Sequence, residues 1–240
     1  MLQYIYMKFE ENSFLHIYER GNRKQPIVYE PADWWRFVLM LRYFNDEYSC
    51  SNFSRELDDL LKSNFRELID WPSYWPKHQP LVDISNFTLM ENHYHLLLKE
   101  LRDGNITKFM RKLNTGMANY INTKYNQVGS LFQGNYKSRV IETDNDLMYL
   151  SVYIQVKNTF ERYPNGGLGE ALKEFDKAYN WAAQDPYTSL GDYAGKRNSL
   201  IITKDTLSEL LPTPEKYKEF AEQYILREDL TREIGELAFD

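Results

Sequence analysis

An α+β fold, an antiparallel sheet with helices packed on one face, is predicted from three observations. Short runs rich in aromatic and β-branched residues alternate with amphipathic segments of helical length. Two of those runs are separated only by Glu91-Asn92, which makes them a hairpin. The 240 residues are 42% hydrophobic and 15% aromatic, enough to bury a sizeable core as one domain with a tail or as two small domains.

Phe14-Leu15-His16-Ile17-Tyr18 reads as the first strand, bounded by the turn Arg20-Gly21-Asn22-Arg23-Lys24. After Pro31, the positions Trp34, Phe37, Val38, Leu41 and Phe44 recur at helical spacing, so residues 32–45 form an amphipathic helix. Residues 46–80 read as an insertion with one or two short helices, ending in a stretch whose Pro72 and Pro76 no helix continues through. Residues 82–90 and 93–99 are the hairpin strands. A second amphipathic helix runs from about 106 to 125, with Ile106, Phe109, Met110, Leu113, Met117 and Tyr120 on its apolar face. A glycine-bracketed loop, 129–134, leads to a strand near 138–142. Asp144-Asn145-Asp146 caps a third helix, 147–159, carrying Tyr149 and Tyr153 one turn apart. The order strand, helix, hairpin, helix, strand, helix is that of a ferredoxin-like sheet, a fold that does not itself carry a function.

Tyr163-Pro164-Asn165-Gly166-Gly167 marks a boundary. Beyond it, one helix over 168–183, a turn with two cations at 192–198 and a last helix opened by Pro214 make a helical C-terminal extension of residues 163–240. Its acidity suggests that it packs on the core and restrains a basic surface or guides a substrate.

The net charge of −6 argues against a generic nucleic-acid binder, but residues 101–140 carry +6 and residues 141–240 carry −8. The basic segment is either a local polyanion site or a solvated helix face. The single cysteine, Cys50, excludes an internal disulfide and a cysteine-based zinc cluster. No run of 18 apolar residues and no basic-then-apolar leader is seen, so a soluble, cytoplasmic protein with no membrane partner is expected.

The chemistry-bearing stretch is Asn92-His93-Tyr94-His95-Leu96-Leu97-Leu98. Strand side chains alternate, so His93 and His95 share one face. Two imidazoles so placed either bind one divalent metal or sit as polar residues on a solvated sheet. The run of three leucines implies a strand buried on both faces, where an unpartnered imidazole is costly.

Residues 89–98, Leu-Met-Glu-Asn-His-Tyr-His-Leu-Leu-Leu, closely resemble the Met-Pro-Asn-His-hydrophobe-His-Leu-Leu segment of the single-tyrosine HUH transposases, in particular the REP-associated tyrosine transposases of the IS200-like group. Residues 18–22, 129–138 and 149–154 fit the same family in order and spacing, and the resemblance covers residues 13 to about 162. It implies that residues 1–162 are a catalytic domain that cleaves and rejoins hairpin-forming single-stranded DNA as a monomer or homodimer. A tyrosine hydroxyl attacks a phosphodiester to give a 5′-phosphotyrosine and a free 3′-OH, while Mg²⁺ or Mn²⁺ held by His93 and His95 polarises the phosphate. A phenol with a pKa of about 10 needs such help at neutral pH.

By the match Tyr153 is the nucleophile, with Tyr149 as second choice. The family places an Asn or Gln metal ligand one turn after the nucleophile; here that position is Lys157. Either Asn158 serves through a local helix distortion, or Gln155 does so in another register, or two histidines and water suffice, or Lys157 takes over part of the metal's role. Glu91 stands where the family commonly has proline. Arg20, Asn22, Arg23, Lys24, Lys108, Arg111, Lys112, Lys137, Arg139 and Lys157 are the expected DNA contacts. The reading from another class is a domesticated, non-catalytic binder of structured single-stranded DNA or RNA.

Overall fold

The computed structural model describes residues 11–49, 53–62, 71–204 and 206–226. The sequence readings on the N-terminal leader, Cys50, residues 63–70 of the insertion and the charged end lie outside them.

Four strands, β1 (Phe14–Arg20), β2 (Val82–Leu89), β3 (His93–Glu100) and β4 (Lys137–Ile141), form one sheet in the order β2-β3-β1-β4. Every pairing is antiparallel. Helix α1 (Pro31–Tyr43) and, within the insertion, α2 (Phe53–Lys62) connect β1 to β2; α3 (Asn105–Lys124) connects β3 to β4. This is the expected ferredoxin-like topology. Alternation drives it. Leu15, Ile17, Ile84, Tyr94, Leu96 and Leu98 are buried in one cluster with Phe37, Leu41, Phe109, Leu113 and Met117 of α1 and α3. Pro31 opens α1, and a capping box between Glu30 and Asp33 fixes its start.

The opposite face is covered too. Leu97 belongs to a second cluster with Leu150, Tyr153, Ile154 and Phe160 and with side chains of the extension, so β3 is buried on both faces, as its leucine run suggests. Helix α4 (Asp144–Val152) passes through a π-helical turn (Tyr153–Lys157) into the short α5 (Asn158–Phe160). Its cap is Thr143, whose Oγ1 accepts the Asp146 N–H at 3.1 Å. This corrects the assignment of the cap to residues 144–146: the two aspartates lie in the first turn, where the helix dipole favours anions.

The extension comprises α6 (Gly167–Lys173), α7 (Phe175–Ala182), α8 (Leu190–Tyr193), α9 (Thr206–Leu210) and α10 (Pro214–Ile225). The single helix expected over 168–183 breaks at Glu174, which has φ −131° and ψ 54°. The expected two-cation turn uses Arg197 internally: its Nη2 bonds the buried Asp192 carboxylate at 2.8 Å and the Thr188 carbonyl at 2.5 Å. Between α7 and α9 the chain runs along the outer edge of β2. Leu89 N–H donates to Tyr187 O (2.9 Å), Ser189 N–H to Phe87 O (3.0 Å) and Thr203 N–H to Ile84 O (3.0 Å). A free sheet edge is thereby closed. Among the described residues no helix is long and apolar enough to cross a membrane.

Candidate functional site

Register decides which side chains meet. On β1, Arg20, Tyr18 and His16 lie opposite His93, His95 and Leu97; on β2, Thr88 lies opposite His95. Directly opposed residues share a face, so all of these point to the side covered by α4 and the extension. His95 is 2% exposed, and His16 Nε2 lies 2.9 Å from its Nδ1. Tyr18 and His16 stack on the His95 ring at centroid distances of 5.7 and 5.1 Å. Burial, reinforced by His16, His93, Lys157 and Arg20, holds the His95 imidazole well below its ordinary pKa. It is neutral at neutral pH, and among the described residues its Nε2 has no hydrogen-bond partner. His93 sets its Nδ1 2.7 Å from Asn92 Oδ1, and Asn92 Nδ2 donates to Lys24 O at 3.2 Å.

Tyr153 is 1% exposed and meets the His95 ring edge-on at 5.5 Å and the His16 ring at 6.3 Å. The π turn that carries it has an identifiable cause. In an α-helix the Ile154 carbonyl would accept the Asn158 N–H. Here Thr88 Oγ1 donates to that carbonyl at 2.5 Å, Thr188 Oγ1 donates to the Gln155 carbonyl at 3.4 Å, and the Asn158 N–H goes back five residues to Tyr153 O. The extra residue in the turn is typical of functional sites. It brings Asn158 round to stand one turn beyond Tyr153 beside Lys157, the local distortion that would let Asn158 serve. Asn158 is 1% exposed, with its Nδ2 unpartnered. Gln155 is tied instead to the extension, donating to Tyr217 Oη at 3.0 Å. Lys157 Nζ lies 5.0 Å from the Tyr153 ring centroid and 2.6 Å from Glu161 Oε1. Tyr149 points elsewhere, stacked on Phe220 and Tyr224 of α10 at 5.7 and 4.6 Å.

The expected DNA contacts divide into two groups. Lys137 and Arg139 lie opposite Tyr18 and His16, on the histidine side of the sheet. Arg20, Lys24 and Lys137 line a cleft of about 550 Å³ with Glu19, Gln133 and Asn135, Tyr18 forming the wall toward His95. Asn22, which donates to Ser130 O at 3.4 Å, and the exposed Arg23 line a separate cleft of about 470 Å³. Gly21 is required here: a Cβ would lie 2.0 Å from the Gln25 carbonyl. The α3 cations are not brought to this face. Lys108 pairs with Glu47, while Lys112 donates to the carbonyls of Asp46 and Tyr48 at 2.6 and 2.9 Å, its pKa pushed down to about 8 by burial. Arg111 is exposed on that same helix.

Sequence reasoning missed His16, Glu19 and Thr88. The alternation of β1 places His16 and Tyr18 together, but only the pairing with β3, some eighty positions away, brings them against His95. Among the described residues no three His, Cys, Asp or Glu side chains cluster as a metal site.

Residues 72–157 match the family described as "Transposase IS200 like". The matched segment spans β2 to the end of the π turn and contains His93, His95 and Tyr153. A solved structure, "Structure of the REP associates tyrosine transposase bound to a REP hairpin", aligns over 86% of this chain and 93% of that one, at 11% identity and a TM-score of 0.44. No curated protein matches the chain by sequence.

Proposed function

We propose that the protein cleaves and rejoins hairpin-forming single-stranded DNA through a 5′-phosphotyrosine on Tyr153. The reading is carried by one observation, the Tyr153 ring packed edge-on against His95 on the sheet face that also bears His93. The matched transposase family supports it.

Tyr153 Oη forms the new bond to phosphorus as the P–O3′ bond breaks; the phenol loses its proton and the 3′ oxygen gains one. The covalent ester conserves the phosphodiester for rejoining. The reading requires the tautomers in which His93 Nδ1 donates to Asn92 Oδ1 and His95 Nδ1 to His16 Nε2, so that each ring would offer Nε2 to a cation. The orphaned buried Nε2 of His95 and the orphaned amide atom of Asn158, whose nitrogen and oxygen exchange by a half-turn, are suited to a hard or borderline divalent cation. Bound there, Mg²⁺ or Mn²⁺ would supply charge stabilisation at the scissile phosphate. Lys157, Arg20 and Lys137 hold the phosphates on either side.

The test incubates the protein with a single-stranded hairpin and Mn²⁺ and looks for an adduct that survives denaturation. It should form with the wild type and vanish with Tyr153→Phe; adducts that persist in the variant refute the assignment. The burial of Tyr153, 1% exposed, favours the second reading, a binder without catalysis. That reading predicts no adduct with any metal, together with salt-sensitive DNA binding that survives EDTA and His93→Ala.

A further inference from the structure

Beside the histidine site, the β1–β4 ladder opens. The pairing of Tyr18 with Lys137 is its last rung, and the chain rejoins β1 only at the isolated bridge of Gly21 with Phe132, where Gln133 N–H also donates to Arg20 O. Residues 133–136 bow outward between these points. At this opening lies the 550 Å³ cleft, and Glu19 is among the residues that line it.

Glu19 is unusual in three ways. It is 4% exposed, yet it lines an open cleft; its Oε2 is buried and has no hydrogen-bond partner among the described residues; and the same cleft is lined by the cations Arg20, Lys24 and Lys137 and by Gln133 and Asn135. A buried acceptor without a donor is costly, so one retained in a cleft points to a ligand that brings the donor. Cations at the rim suit phosphate, amides suit base edges, and Lys137 Nζ already caps the Tyr18 ring at 5.2 Å.

We propose that this cleft reads one nucleobase of the bound strand and that Glu19 is its specificity determinant: Glu19 Oε2 accepts an N–H from the exocyclic amino group of adenine or cytosine, while Lys24 and Lys137 hold the adjoining phosphates. Thymine has no amino group, and its one donor, N3–H, is flanked by the O2 and O4 carbonyls, which face the carboxyl oxygens with like partial charge, so it satisfies Oε2 poorly. This deepens the proposed function, on which the choice of DNA as ligand rests. Burial raises the Glu19 carboxyl to about 7, against the pull of the Arg20 backbone N–H and the Lys137 charge, so near neutrality much of it is uncharged and repels phosphate little.

The experiment measures fluorescence anisotropy with dA8, dC8 and dT8 in EDTA, so that no cleavage is needed for a readout. The wild type should bind dA8 and dC8 about tenfold more tightly than dT8, the worth of one hydrogen bond gained by a buried acceptor. Glu19→Leu should bring all three within about twofold by lowering dA8 and dC8 affinity to that of dT8, whereas Lys137→Ala should weaken all three alike. A second arm needs no variant: replacing adenine in dA8 by purine, which lacks the amino group, should cost the wild type the same factor. Equal binding of the three oligonucleotides, a preference that survives Glu19→Leu, or indifference to the purine replacement overturns the assignment. Adducts on Tyr153 without base preference would refute only the cleft, and base preference without adducts would refute only the chemistry.

Discussion

At the scale of single residues, the candidate site depends on protons held in fixed places. In the proposed site His16 is a positioning residue: its Nε2, 2.9 Å from His95 Nδ1, accepts that N–H in the tautomer that leaves His95 Nε2 for a cation. His16→Leu should therefore lower adduct yield about 10- to 100-fold while leaving DNA binding in EDTA unchanged. His16→Gln, which restores an acceptor, should recover part of the loss. If binding and adduct fall together, His16 is a packing residue only. Glu19 carries the opposite kind of strain. Its carboxyl, at about 7 when folded and 4.5 when not, binds more proton in the native state between those values. Stability from this group is therefore complete below about pH 4.5 and is lost as pH rises through 7. Glu19→Gln should match the wild type at pH 5 and exceed it by about 2 kcal/mol at pH 8, read by urea unfolding at both pH values. A stability difference between variant and wild type no larger at pH 8 than at pH 5 would show that Glu19 is not desolvated.

At the scale of elements, the strands and the two amphipathic helices of the core follow from periodicity, because alternation at two and at 3.6 residues is local information. His93 and His95 sharing a face was legible for the same reason. The π turn was not. It arises because a threonine of β2 and another of the extension claim carbonyls of a helix distant in sequence. Within residues 147–159 it showed only as one option among several, a local helix distortion that would bring Asn158 to the place one turn after Tyr153 that otherwise reads as Lys157. The break at Glu174 and the inward use of Arg197 were likewise hidden, since each is set by what packs on it. Thr88→Val keeps the shape and removes the hydroxyl that engages Ile154 O. It should cost about 1 kcal/mol of stability and let the Asn158 N–H return toward Ile154 O, reducing adduct yield well beyond that loss, whereas Thr88→Ser should behave as wild type. Equal yields for the valine and serine variants, measured at a temperature where both are folded, would separate the turn from the chemistry.

At the scale of the whole molecule, the acidic extension is a structural half of the second core. Its segment from 187 to 203 closes the β2 edge, Tyr193 Oη donates to Ser85 O at 2.9 Å, and Tyr217 joins Gln155 and Ser151 behind the candidate nucleophile. Charge alone pointed to a tail that packs on the core and restrains a basic surface or guides a substrate; burial points to a part the core needs. Cutting the chain after Tyr163 would bare Leu97, Leu150, Val156 and Phe160 and leave the β2 edge unpaired, which invites edge-to-edge association. The truncated protein should be insoluble or unfolded, not faster at cleavage. Tyr217→Phe makes the same point gently: losing the hydroxyl that accepts from Gln155 Nε2 and bonds Ser151 Oγ strands buried polar groups, at about 1–3 kcal/mol. A soluble truncation that melts cooperatively and retains DNA binding would restore the regulator view and return the extension to the status of a separate unit.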